Sequence, residues 1–162
     1  MNMHKSYWVT LVSIALTCAA TSVLADKDTQ GSLQSQLQAR LDVAYGLWGS
    51  GDAARFIREF MTDDVVITAS DSAKVWKGTA EGVECIQELM KSVSAIRATG
   101  VYTRALGPNA AMQFVVFQLT ARDPNQQKNL SVAKSLYVWV KTARGWRVAA
   151  DHYSFAGMDM PR

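Results

Sequence analysis

Asp151, His152 and Tyr153 are three consecutive side chains able to exchange protons, and they lie near the end of the last apolar run of the chain. An imidazole changes charge near neutral pH and can shuttle protons with a carboxylate partner. Neighbours on an extended strand point to opposite faces, however, so Asp151 and His152 form no simple dyad unless a bulge intervenes. Asp71, between Ser70 and Ser72 in a polar stretch, is a third candidate acid or base. Burial would have to lift its pKa before it could act at neutral pH. Tyr45, Trp48, Trp76, Tyr137 and Tyr153 are the candidate ligand-binding residues, because a ring with a polar edge can both pack on an apolar molecule and hydrogen-bond it. Arg97, Arg104, Lys134 and Arg147 are cations that could neutralise an anionic ligand.

These groups are carried by a hairpin. Tyr137 to Lys141 and Trp146 to Phe155 are β-rich runs around Thr142-Ala143-Arg144-Gly145. On an unbroken second strand Trp146, Val148, Ala150, His152 and Ser154 share one face. Arg147, Ala149, Asp151, Tyr153 and Phe155 share the other. The first strand sorts Val132, Lys134, Leu136, Val138 and Val140 against Ala133, Ser135, Tyr137 and Trp139. Both faces are apolar enough to be covered, as with a pocket on one side and a dimer partner on the other. A single bulge would exchange the faces for half a strand.

The hairpin closes a chain whose order reads helix, helix, short strands, helix, then four consecutive strands. Leu33, Leu37, Leu41, Ala44, Leu47 and Trp48 have the spacing of one helix face, with Ser32 as a cap, Gly49-Ser50-Gly51 as the stop and residues 26–31 as a flexible lead-in. Asp52 caps a second helix burying Phe56, Ile57 and Phe60, and Asp63-Asp64 turns the chain into the strand Val65 to Thr68. After a polar loop and Lys74 to Gly78, Thr79 caps a third helix with Val83, Ile86, Leu89, Met90 and Val93 along one side. Strands follow over 101–106, 111–121, 130–141 and 146–155. Segregated helices and strands predict an α+β fold.

The first 25 residues read as a signal peptide. Lys5 precedes the apolar run Trp8 to Leu16, and Val23-Leu24-Ala25 offers small residues for cleavage before Asp26. Residues 26–162 then form one domain in the periplasm or outside the cell, and no membrane association is expected after cleavage. Removing Lys5 and no acid lowers the formal charge of +3 by one. A balance so near neutral implies neither nucleic acid nor an anionic membrane as partner. The remaining Cys85 reads as a buried thiol, and with one histidine no classical zinc site can be built. No metal and no cofactor is expected.

Gly51-Asp52, Phe60 with Asp63-Asp64, and Gly145-Trp146-Arg147-Val148, in this order, resemble the nuclear transport factor 2-like superfamily, in particular its SnoaL-like and ketosteroid-isomerase-like members. Trp139, the turn, Trp146 and His152-x-Ser154 are most similar to the association domain of calcium/calmodulin-dependent kinase II and its bacterial relatives. The resemblance implies a curved antiparallel sheet wrapped over three N-terminal helices, a pocket at the open end of the cone, and a homodimer made through the sheet. It also implies departures from the isomerases. Ala69 stands where they carry a catalytic aspartate, and Ala44, beside Tyr45, where they carry an oxyanion tyrosine. Tyr137 falls at their second oxyanion donor, which in the kinase association domains is a pocket arginine. The association-domain match puts Tyr137 and Tyr153 in the pocket; an isomerase threading without a bulge puts Tyr137 with His152 and Ser154. The expected protein binds a small, partly apolar organic molecule. An acid–base enzyme and an oligomerisation module are the alternatives.

Overall fold

The computed structural model describes residues 18–126 and 132–156. Most of the expected signal peptide, and the expected strand start at Leu130, lie outside the described residues. The first helix, α1, spans Cys18–Gly46. It is longer than expected: residues 26–31 are helical and Ser32 lies inside, because this proline-free stretch contains good helix formers such as Ala25, Lys27 and Gln30. Among the described residues no helix is long and apolar enough to cross a membrane.

A 3₁₀ turn, Trp48–Ser50, leads to α2, Ala53–Phe60, whose first turn is capped by Asp52: its Oδ1 accepts the Arg55 N–H at 2.8 Å. Strand β1, Met61–Ala69, starts at once, so Asp63 and Asp64 do not turn the chain before it but sit inside it. They occupy the stretch where pairing with the last strand slips, between Met61 and Val66, which leaves both exposed while Met61 and Val65 are buried. Strand β2 is Val75–Lys77 and helix α3 is Gly78–Ser92. Thr79 does not cap α3; its hydroxyl donates to the Asp63 carbonyl, and Glu81 accepts the Lys77 N–H at 2.8 Å instead. Strands β3, Val93–Gly107, β4, Ala110–Ala121, β5, Val132–Thr142, and β6, Gly145–Ala156, complete the chain.

The six strands form one curved sheet in the order β2-β1-β6-β5-β4-β3. The sheet is mixed rather than purely antiparallel, since β1 lies parallel to β6. A parallel neighbour becomes possible because α3 and four strands intervene before the chain returns. β3 starts earlier than expected because its register shifts, one of them between Gly100 and Tyr102, interrupt the alternation by which a strand is read.

The helices cover one face of the sheet. Gln34 Nε2 donates to the Gly100 carbonyl at 2.6 Å and Gln38 Nε2 to that of Ala98 at 3.1 Å, while Gln38 Oε1 accepts the Gly100 N–H at 2.9 Å. Gly100 permits this close approach; a Cβ there would fall 2.3 Å from the buried Gln113 amide. Phe60 of α2 packs edge-on against Tyr137 and Trp139, with ring centres 5.7 and 5.4 Å away. Full burial of rings such as Phe60 and Trp139 is worth about 1.5–3 kcal/mol each.

Candidate functional site: an aromatic pocket with one buried carboxyl

The site takes its shape from an irregularity in the β5–β6 hairpin. Val138 pairs with Ala150 but Trp139 with Val148, so Ala149 is an extra residue, a β-bulge. The bulge brings Val148 and Asp151 onto the same face, beneath the helices, together with Tyr153 and Phe155. Opposite them β5 contributes Ala133, Ser135, Tyr137 and Trp139: Tyr137 pairs with Asp151 and Ser135 with Tyr153. Tyr137 and Tyr153 therefore line the pocket, and His152 and Ser154 face away.

The cavity is about 50 Å³. Helix α1 and the 3₁₀ turn supply Tyr45 and Trp48, α3 supplies Ile86 and Leu89, and β4 supplies Phe117 and Leu119. The hydroxyls of Tyr45 and Tyr137 share a hydrogen bond of 2.5 Å at its centre. Trp48 is buried and anchored, its indole N–H donating to the Val93 carbonyl at 3.1 Å, so its contribution is a fixed wall.

Asp151 is the sole carboxyl among the lining residues. It is 7% exposed, hydrogen-bonded by Ser135, and its Oδ1 has no partner. Burial pushes its carboxyl up to about 7, the Ser135 hydrogen bond pulling the other way. Burial likewise raises Tyr45, Tyr137 and Tyr153 above their ordinary value, so all three remain phenols that can donate. Tyr153 contacts the Cys85 thiol at 3.9 Å, and burial pushes that thiol up to about 11, which keeps it a poor nucleophile.

Tyr153 and Phe155, with Leu89 and Val93, also form the inner wall of a second hollow of about 280 Å³, a vestibule reaching the solvent past Asp71, Trp76 and Glu88. Asp71 and Trp76 are thus at the entrance and not against Asp151. On the far side, Tyr45 and Ile96 border an open groove of about 590 Å³ between α1 and β3 that carries Asp42 and Arg97.

His152 stands apart from the other candidates. It is exposed on the outer face, its Nδ1 hydrogen-bonded to Thr68 Oγ1 at 2.9 Å, and it cannot reach the cavity through the sheet. Nor do the candidate cations line it. Arg97, Arg104 and Lys134 are exposed, and Arg147 is buried near Arg40, Arg144 and Glu59. Ser135 was not anticipated as a site residue, although a hydroxyl two places before Tyr137 on an apolar strand was a usable signal. Phe117 carried no such mark, being one of several apolar residues on β4. Among the described residues no group of three His, Cys, Asp or Glu side chains could hold a metal ion.

Residues 37–158 match the family model of the SnoaL-like domain. The chain belongs to this SnoaL-like family. No curated protein matches it significantly. Solved structures share the SnoaL-like architecture at low identity. A ketosteroid isomerase-like protein from Erwinia carotovora atroseptica is 15% identical, with 79% of this chain and 97% of that one covered at a TM-score of 0.59. A calcium/calmodulin-dependent protein kinase II association-domain-like protein from Xanthomonas campestris is 16% identical, over 95% and 99% of the two chains at 0.56. A candidate dehydratase of the NTF2-like family from Streptomyces avermitilis is 13% identical, over 78% and 97% at 0.57. At such identities the likeness speaks for the SnoaL-like fold alone.

Proposed function

We propose that this is an exported, dimeric protein that binds a small, partly apolar organic molecule between its helices and sheet. The reading is carried by the buried Asp151 Oδ1, a hydrogen-bond acceptor without a partner in a largely apolar cavity. A buried polar atom without a partner is costly, and a ligand that donates to it removes the cost. Export rests on the leader-like residues 1–25, and dimerisation on the outer face of the sheet. There Phe114 is 44% exposed, and Met112, Leu136, Val138 and Val140 are half-buried. Such a face suits a second copy of the chain.

The test is a thermal-shift screen against organic acids, amines, steroids and polyketide-like compounds, repeated with Asp151→Asn. A ligand that binds only the folded state must raise Tm. An upward shift from one chemical class, lost or reduced in Asp151→Asn, supports pocket binding. No shift from any class rejects it.

A second reading, an acid–base enzyme such as an isomerase, dehydratase or hydrolase, draws on the same carboxyl. A group pushed up to about 7 is matched to proton transfer near neutral pH. The Tyr45 and Tyr137 hydroxyls could donate to an oxygen on which charge develops. On this reading Asp151→Asn abolishes turnover of the bound class while its affinity persists.

A further inference from the structure

We infer that the occupant of this pocket is an organic ammonium ion, its charged head on Asp151 among the aromatic rings and its tail in the vestibule beyond Tyr153 and Phe155. The inference rests on the pocket-binding reading and names the class of molecule bound.

Charge is the first argument. The cavity contains one carboxyl and no cation, and the vestibule adds Asp71 and a Glu88 that pairs with Lys91 at 2.6 Å. Lys74, also near this entrance, is engaged as well: it pairs with Glu84 at 3.2 Å and lies 5.5 Å from the centre of the Trp76 ring. Arg97 lies in the groove on the other side of Tyr45, which Asp42 shares. A carboxylate ligand would meet repulsion at the entrance and again at Asp151, with nothing inside to neutralise it. An ammonium ion would be attracted at both points and would supply the missing donor to Oδ1.

The walls are the second argument. Tyr45, Trp48, Phe117, Tyr137, Tyr153 and Phe155 supply rings to the cavity wall. Rings grouped around a desolvated point attract a cation through their electron-rich faces. The third is size. The inner cavity has the volume of roughly two waters, room for an ammonium head but not for a whole molecule. The vestibule shares four wall residues with it, and together the two spaces reach the lower end of small-molecule pockets, about 300 Å³.

The test uses primary ammonium ions with tails from methyl to indolylethyl, each paired with the alcohol and the carboxylate of the same tail. Affinities are measured by calorimetry at pH 8, where Asp151 is ionised. We expect an ammonium ion to bind about tenfold tighter than its alcohol or more, and the carboxylate not at all. Asp151→Asn should reduce that preference to within about twofold, with its fold verified by circular dichroism. His152→Gln, outside the pocket, should leave the preference unchanged. Alcohols or carboxylates binding as tightly as ammonium ions would overturn the ammonium assignment while leaving the pocket reading intact. Absence of binding in this series and in the broader screen would overturn both.

Discussion

The two faces of the sheet treat neighbouring ionisable residues in opposite ways. Asp151 lies beneath the helices, 7% exposed, held by Ser135 and pushed up to about 7 by burial. His152, next in the chain, is exposed on the outer face and hydrogen-bonded to Thr68. Histidine is ordinarily the residue that titrates near neutral pH, yet here burial moves the aspartate into that range. Functional potential therefore follows the face a residue occupies more closely than its type, and the bulge at Ala149 decides which residue occupies which face.

Shifting the strand by one residue beyond the bulge is the sharpest way to break the contrast. Insertion of one alanine between Ala150 and Asp151 would bring His152 and Ser154 under the helices and turn Asp151, Tyr153 and Phe155 out. We expect a loss of more than about 4 kcal/mol or outright failure to fold, read by urea unfolding. Unaltered stability would mean that the assignment of faces is dispensable.

Asp151→Asn tests the inner face alone. Its native carboxyl is raised from 3.8 to about 7, so between these values the native state binds more protons than the unfolded state. Stability must then fall as pH rises through that window, by up to about 4 kcal/mol if the whole shift is realised. The variant should lack this slope and be more stable than the parent at pH 8. Parallel pH profiles of Tm would contradict the burial of Asp151.

Tyr137→Phe should cost about 1 kcal/mol, because it removes one hydroxyl of the Tyr45–Tyr137 pair and leaves the ring in place. Chemical denaturation would measure it. The smallest effect is expected outside: His152→Ala should change stability by less than about 0.5 kcal/mol, since it loses one exposed hydrogen bond. A larger loss in a dilution series that also shows dissociation would move His152 into a dimer contact.

Much of the fold was legible because it depends on local patterns. The face of α1 from Leu33 to Trp48, the Asp52 cap and the turn at Gly145, whose φ is +88°, follow from helical spacing, cap chemistry and glycine's freedom. The misreadings fall where tertiary pairing overrides such patterns. Asp63-Asp64 looks like a turn but lies in a strand, because β6 supplies a neighbour whose register can slip there. β3 looked short because its register shifts interrupt the alternation. Of the candidate residues, Tyr45, Trp48, Tyr137, Asp151 and Tyr153 meet at one cavity; Asp71 and Trp76 stand at its entrance and His152 behind the sheet.

By itself the sequence determined the α+β order of elements, the lack of a strong charge bias, and a last hairpin rich in tyrosines and ionisable groups. The tertiary structure decided which of those groups share an environment. A one-residue bulge has no distinctive composition, and Ala149 resembles Ala150 in every local respect. Its position is set by how Trp139, Val148 and Tyr137 pack together under α2, an interaction between distant parts of the chain. That packing places Asp151 where water is excluded, and exclusion of water turns an ordinary aspartate into a group poised near neutrality.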